Sequence, residues 1–209
     1  LVINKPYNIA VHSGKKTKTN LIDIIKMSKE YKNSHLELSH RIDKKTTGCI
    51  LLSKNKTFLT RFNKLIKKQK IKKKYIIIVK GKINKTEIKL NQKILNKYNN
   101  KIKAKKNITI TKIKLIKKCE NFSLIQLAPI TGRMHQIRIH LAHIGNPIAN
   151  DTKYGSILFN KYIKKKGLKK MFLHSRCIKF KCPIEKKKYN IKAEYNKDIK
   201  KFLTSKLWK

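Results

Sequence analysis

The spacing of apolar and polar positions changes period along this chain, and each change predicts an element. Residues 1–12 open as a strand that Pro6 breaks and that ends near His12-Ser13-Gly14. Leu21, Ile24, Ile25 and Ser28 then recur at helical spacing behind Asn20, whose side chain suits a helix N-cap, so a helix is expected over 20–31. Cys49 to Ser53 reads as a strand. Asn55 caps a further helix, whose Phe58, Phe62, Leu65 and Ile66 make an apolar stripe of the kind that faces a core. The unbroken run from Lys74-Tyr75 to Val79 predicts a strand covered on both faces, and Gly81 ends it.

Residues 84–107 are rich in Lys and Asn and predict a surface excursion with a short strand or two. Ile108 to Ile116 and Phe122 to Ala128 predict a hairpin turning at Cys119-Glu120-Asn121. Thr131 to Gly145 reads as one helix, with Thr131 as N-cap, Gly145 as C-cap and Pro147 just beyond. On it Met134, Ile137, Leu141 and Ile144 share a face, and Arg138 flanks that face with its stem packed and its head toward a cleft. A helix near 157–166, strands over 172–181 and 189–194 and a last helix from Asp198 complete the pattern, without an internal repeat.

Composition sharpens this picture in three ways. A length of 209 residues and 40% hydrophobic content suit a globular protein of one large or two small domains. No apolar run approaches membrane-spanning length, and the first residues lack a secretory core, so a cytoplasmic protein is expected. Cys49, Cys119, Cys177 and Cys182 show no C-x-x-C spacing and read as free thiols of a reducing compartment.

Charge needs discounting before use. The net charge of +45 invites a nucleic-acid partner. Yet Arg occurs only at Arg41, Arg61, Arg133, Arg138 and Arg176, leaving 50 Lys, and Lys, Asn and Ile dominate everywhere. That skew points to an AT-rich genome, such as that of a reduced-genome bacterial endosymbiont, which fills solvated positions with Lys. The surviving Arg residues are therefore informative, because they remain where a planar fork is needed and an ammonium is a poor substitute. Three of the five lie in two short segments, beside Asp43 and between Arg133 and Arg138.

The first of those segments carries the candidate chemistry. In His40-Arg41-Ile42-Asp43-Lys44-Lys45-Thr46-Thr47-Gly48, one of only four Asp residues follows an Arg in a turn ahead of an apolar strand. A carboxylate beside a guanidinium stays ionised and oriented, and such a group can act as a nucleophile. The bland alternative is an Asp that caps a turn.

This stretch resembles the H-R-L-D-x-x-T-S-G motif of the RluA family of RNA pseudouridine synthases. Thr131-Gly132-Arg133-Met134-His135-Gln136-Ile137-Arg138-Ile139-His140 resembles the family's T-G-R-x-H-Q-I-R-V-H, and Pro147-Ile148-Ala149-Asn150-Asp151 with Tyr154-Gly155 its P-I-x-x-D-x-x-Y-G. Asn4-Lys5-Pro6, Val11-His12, Lys74-Tyr75 with Gly81, and Phe172-Leu173-His174-Ser175 match further elements in order. The likeness runs from residue 2 to about 203, with Ile42, Thr47 and Asn150 as mild departures. It is closest to the RluC branch, which modifies uridines of bacterial large-subunit ribosomal RNA. Members of that branch carry a small N-terminal RNA-binding domain, expected here upstream of residue 1.

The resemblance implies an α+β fold, with a central mixed, mainly antiparallel sheet and flanking helices, as a single catalytic domain over 1–209. It implies isomerisation of uridine to pseudouridine by a monomer, with no cofactor and no metal. Asp43 would act at the sugar, Arg138 would hold Asp43 ionised in a bidentate pair, and Tyr75 would pack on the flipped uracil. Arg41, His40, Arg133, His135 and Gln136 would bind RNA or the base. Attack at C1′, attack at C6 and a glycal route all stay open, as do transfer RNA as substrate and a catalytically idle RNA-binding or ribosome-assembly protein. Intact Asp43, Tyr75 and Arg138 weigh against the last. Taken singly, Tyr75 is an ordinary core tyrosine, Asp151 fixes the loop after the helix, and His12, His40 and His174 are satisfied hydrogen-bonding groups. The spacings of five and three between His135, His140 and His143 do not fit a zinc-binding helix.

Overall fold

The computed structural model describes residues 1–12, 19–84, 86–91 and 108–208. Most of the Lys/Asn-rich stretch, and the predicted strand end at Ser13-Gly14, thus lie outside the described residues. In chain order the elements are β1 (Val2–Lys5), α1 (Leu21–Lys26), β2 (Glu37–Leu38), β3 (Thr47–Ser53), α2 (Lys56–Lys67), β4 (Lys72–Lys80), β5 (Glu87–Asn91), β6 (Ile108–Lys118), β7 (Phe122–Pro129), α3 (Gln136–His143), α4 (Ile157–Lys165), β8 (Leu173–Lys181), β9 (Lys188–Lys192) and α5 (Lys197–Leu203). The class is α+β, with mixed and mostly antiparallel strand pairing, as expected. The chain forms two compact units, Leu1–Lys73 with His174–Glu194, and Tyr195–Lys209 with Lys74–Leu173.

In the first unit β3 is the spine. Every residue of it is buried, with β1 and β2 antiparallel to it and β8 parallel at Thr47↔His174 and Gly48↔Ser175. β9 continues antiparallel from β8. Phe62 of α2 packs with Cys49, Leu51, Ile178 and Phe180 in one core, which bears out the predicted apolar stripe. Burial of such side chains is the main favourable term of folding. Asn55 caps α2 through the Phe58 N–H (2.7 Å), also as predicted.

Two predicted elements of this unit come out shorter. α1 stops at Lys26 instead of Tyr31, although Asn20 and Asp23 form a full capping box at its start. β1 stops at Lys5, where Pro6 removes a ladder donor and the next residues turn.

In the second unit β4, β7, β6 and β5 pair antiparallel in that spatial order. The β6–β7 hairpin turns where predicted, with a bulge between Leu115 and Lys117. α4 and α5 cover this sheet, since Phe159, Ile163, Ile199 and Phe202 share a core with Ile76, Ile78 and Leu124. All four cysteines are free thiols. Among the described residues no helix is long and apolar enough to cross a membrane.

Candidate active site

Asp43 sits half-buried in a turn closed by the Thr46 N–H on the Asp43 carbonyl (3.0 Å). Three devices hold this turn. The first is Lys5, wholly buried at the end of β1, whose ammonium donates to the carbonyls of Pro6 (2.8 Å), Ile9 (2.9 Å) and Lys44 (2.9 Å). Its pKa falls to about 8 because burial penalises the charge, and the Asp43 carboxylate partly offsets that. One cation thus ties the loop after β1 to the residue following Asp43. Lys5 belongs to the Asn4-Lys5-Pro6 motif, which by itself assigns it no role. Its signal was a Lys directly before Pro in a strand end.

The second device is Gly48, with φ of +102°. A Cβ there would come within 2.3 Å of the Ser175 carbonyl oxygen, so only glycine lets β3 close on β8 at this point. The third is a chain through His174. Its Nδ1 bonds the Thr47 hydroxyl (2.8 Å) and its Nε2 meets the Ala193 carbonyl (3.2 Å), which the Arg176 guanidinium also contacts. Nε2–H donating to the carbonyl and Nδ1 accepting from Thr47 is the tautomer that fits both bonds. Burial lowers the His174 pKa, so the ring is neutral, a satisfied group as the sequence suggested.

His40 is satisfied on one ring nitrogen only, short of the expectation for it, since its Nδ1 is buried without a hydrogen-bond partner among the described residues. It is buried, and its Nε2 accepts the Leu51 N–H (3.2 Å), which pins the motif to β3. Burial and then the Lys73 ammonium push its pKa well below the ordinary value, so it is neutral with the proton on Nδ1. Arg41, by contrast, is exposed.

Tyr75, Arg133, His135, Gln136 and Arg138 belong to the second unit. Tyr75 is buried on β4 opposite Leu127. The predicted helix from Thr131 begins only at Gln136, and the five residues before it form a loop. Gln136 explains the late start. Its Oε1 accepts from the Thr131 hydroxyl (2.8 Å) and the Arg133 N–H (3.1 Å), while its Nε2 donates to Thr111 Oγ1 (3.2 Å) and the Ile110 carbonyl (3.4 Å). The loop is thus folded around one amide, and that amide is spent internally. Arg133 and Met134 are exposed, so Met134 does not join the helix face expected of it. At the far end Gly145 has φ of +80°, with its N–H on Ala142 and the Asn146 N–H on Leu141, the paired bonds of a Schellman stop.

α3 is buried on nearly every side from Gln136 to Leu141, not on one stripe. His140 is fully buried and bonds Thr109 Oγ1 (2.9 Å), and burial drops its pKa to about 4. His135 has a left-handed backbone (φ 54°), and its Nδ1 lies 2.9 Å from the Tyr154 hydroxyl. His135 and His140 therefore serve different partners.

Arg138 carries the fork that its survival in a Lys-rich chain implied. Its Nε and Nη2 donate to Oδ2 (2.7 Å) and Oδ1 (2.8 Å) of Asp151, with both side chains buried. The bidentate partner expected from the sequence was Asp43, in the other unit. Asp151 Oδ1 also accepts the N–H groups of Lys153 (2.9 Å) and Tyr154 (3.2 Å). Burial alone would raise the Asp151 pKa, but the Arg138 guanidinium and these two N–H groups outweigh it and hold the carboxyl below its usual value. Arg138 Cζ lies over the Tyr154 ring, 4.9 Å from its centroid, and Lys153 Nζ lies 5.1 Å from it.

The family model described as RNA pseudouridylate synthase matches residues 1–143. The chain is 36% identical, over 92% of its length, to a Buchnera aphidicola (subsp. Baizongia pistaciae) protein named ribosomal large subunit pseudouridine synthase C. It is 34% identical, over 97%, to a protein of the same name from Vibrio parahaemolyticus. These alignments span 63% and 65% of the two relatives, just under two thirds of their lengths. Among solved structures, human RNA pseudouridylate synthase domain containing 4 superposes with a TM-score of 0.72 at 23% identity, covering 97% of this chain and 87% of that one. That likeness concerns the fold.

Proposed function

This chain belongs to the RNA pseudouridylate synthase family, and from that premise we propose that it isomerises uridines of large-subunit ribosomal RNA to pseudouridine. The reading is supported above all by the Asp43 turn, an acid in an acid-poor chain held by a buried cation, a close-packed glycine and a neutral histidine. Preorganisation of that kind is what a reacting carboxylate requires.

In the reaction the target base leaves the RNA stack, at a cost of roughly a few kcal/mol. The N1–C1′ bond breaks, the uracil turns while bound, and C5 bonds to C1′. The C5 proton is lost and N1 gains one, so no redox partner is called for. Asp43 acts at the sugar as nucleophile or electrostatic partner. Arg138 supplies a fixed positive charge, Tyr75 packs on the uracil, and Arg41 and Arg133, both exposed, contact RNA. The enzyme works as a monomer in a bacterial cytoplasm on RNA of the large ribosomal subunit, the subunit that its relatives' names carry.

The test is to incubate the full chain with a large-subunit ribosomal RNA transcript and map pseudouridines chemically. New pseudouridine at discrete positions is expected. Modification of transfer RNA alone would replace the substrate, and tight RNA binding without any pseudouridine would identify an idle binding protein.

A further inference from the structure

Asp151 fixes the loop after α3, as its sequence position predicts, and its contacts go further. Its two oxygens have different duties. Oδ1 caps the turn through the Lys153 and Tyr154 N–H groups and also takes Arg138 Nη2, whereas Oδ2 accepts the Arg138 Nε–H, at 2.7 Å. The same turn brings the Tyr154 ring beneath the Arg138 guanidinium, and the Tyr154 hydroxyl is held by His135. Gly155 permits this, since a Cβ there would come within 2.0 Å of the Asp151 carbonyl oxygen. Arg138 is therefore held on its Nε edge by Asp151 and set over the ring of Tyr154.

A guanidinium has five donors in a plane, and a bidentate partner on the Nε edge fixes both the plane and which edge is turned elsewhere. We propose that Asp151 is a positioning residue for the reaction, acting through Arg138, with Tyr154 as the second jaw of the clamp. Asp151 sets the plane of the Arg138 guanidinium and which of its edges lies outside the pair. This rests on the functional reading above and adds a residue to it. It also explains why one of only four Asp residues stands here and why the cation is Arg.

Asp151→Asn separates the two duties. The amide oxygen can still cap the turn, but an NH2 group replaces Oδ2 and faces the Arg138 Nε–H, donor against donor. On a ribosomal RNA transcript at saturating enzyme, the single-turnover rate per folded molecule should fall by roughly thirtyfold to a hundredfold, as misplacement of about 1 Å does. RNA affinity should stay within about threefold. Asp151→Glu, which keeps a carboxylate, should recover part of the rate. Circular dichroism at the assay temperature gives the folded fraction and so removes any loss due to unfolding.

A second readout does not need activity. The chain has five Arg residues, so ¹⁵N labelling gives five Nε–H signals, and Arg138→Lys identifies one of them. The Arg138 signal should exchange slowly with solvent in the wild type and fast in Asp151→Asn. A full rate in Asp151→Asn, a loss that Asp151→Glu shares equally, or an unchanged Arg138 signal would each overturn the proposal. A wild type inactive on every RNA would overturn the functional reading instead, and the Nε–H signal would then decide the clamp by itself.

Discussion

The turn bearing Asp43 and the helix start bearing Arg138 are both buried polar assemblies, and they are held by opposite means. Around Asp43 the anchor is a cation on neutral acceptors, the Lys5 ammonium on three carbonyls. Around Arg138 it is an anion on a cation, the Asp151 carboxylate on a planar fork. Three carbonyls converging on a point need a compact ammonium with three donors, while two carboxylate oxygens side by side need a fork. The chain uses Lys in the first place and Arg in the second, which is the division its composition suggested. A buried ion pair is weak evidence of stability, but breaking one half of it costs about 3–5 kcal/mol. The second region is thus the more exposed to a single substitution, and the first to a change of proton.

The largest expected effect lies in the first region. Asp43→Asn should lower the saturated single-turnover rate by at least about a thousandfold, read as tritium release from C5-labelled uridine RNA. RNA affinity should hold, since it comes mainly from phosphate contacts. Appreciable turnover by this variant would remove Asp43 from the centre of the reaction. In the second region Arg138→Lys should cost roughly a hundredfold, because an ammonium cannot fill the fork on Asp151. Near-normal activity there would show that charge alone suffices and would erase the contrast.

Next come the two ends of the pH scale. Burial lowers Lys5 from 10.5 to about 8, so between those values the unfolded chain binds more protons than the folded one. Stability therefore rises with pH across that window, by up to about 3 kcal/mol from this group, and the cost of the buried charge is present in full below pH 8. Burial lowers His140 from 6.5 to about 4, so the unfolded chain again holds the extra proton, and stability is lost as pH falls from about 6.5 to about 4, by up to about 3 kcal/mol. Denaturant titrations of wild type against Lys5→Met should differ in slope only on the alkaline side, and against His140→Gln only on the acid side. Parallel curves would mean that the burial of these groups is not coupled to folding.

The smallest effect concerns the Lys surplus. Lys164, Lys165 and Lys166 close α4 and are all exposed. Replacing them together with Gln should leave the saturated rate unchanged, while RNA affinity weakens modestly and its salt slope flattens. A large fall in rate would place this run in the chemistry and put the electrostatics of the site in its lysines instead of its two buried anchors.

The sequence by itself determined the family, through long motifs in order, and most elements of the fold, through periodicity and caps such as Asn20, Asn55 and Gly145. It also marked Arg138 as a fork, because an Arg retained among 50 Lys needs a geometric reason. Helix ends were less legible. Thr131 looks like an N-cap by type, yet a buried Gln136 amide with four internal partners outbids the capping bond, and no local pattern announces that. Partners were decided by tertiary structure alone. Lys5 meets Lys44 across 39 positions and His174 meets Thr47 across 127, and composition alone does not tell a buried Lys from the solvated ones around it. The fork on Asp151 spans only 13 positions but depends on a turn that Gly155 permits by close packing. Residue type states which geometry a side chain can satisfy; only the folded backbone, by converging carbonyls and carboxylates on one point, decides which group satisfies it.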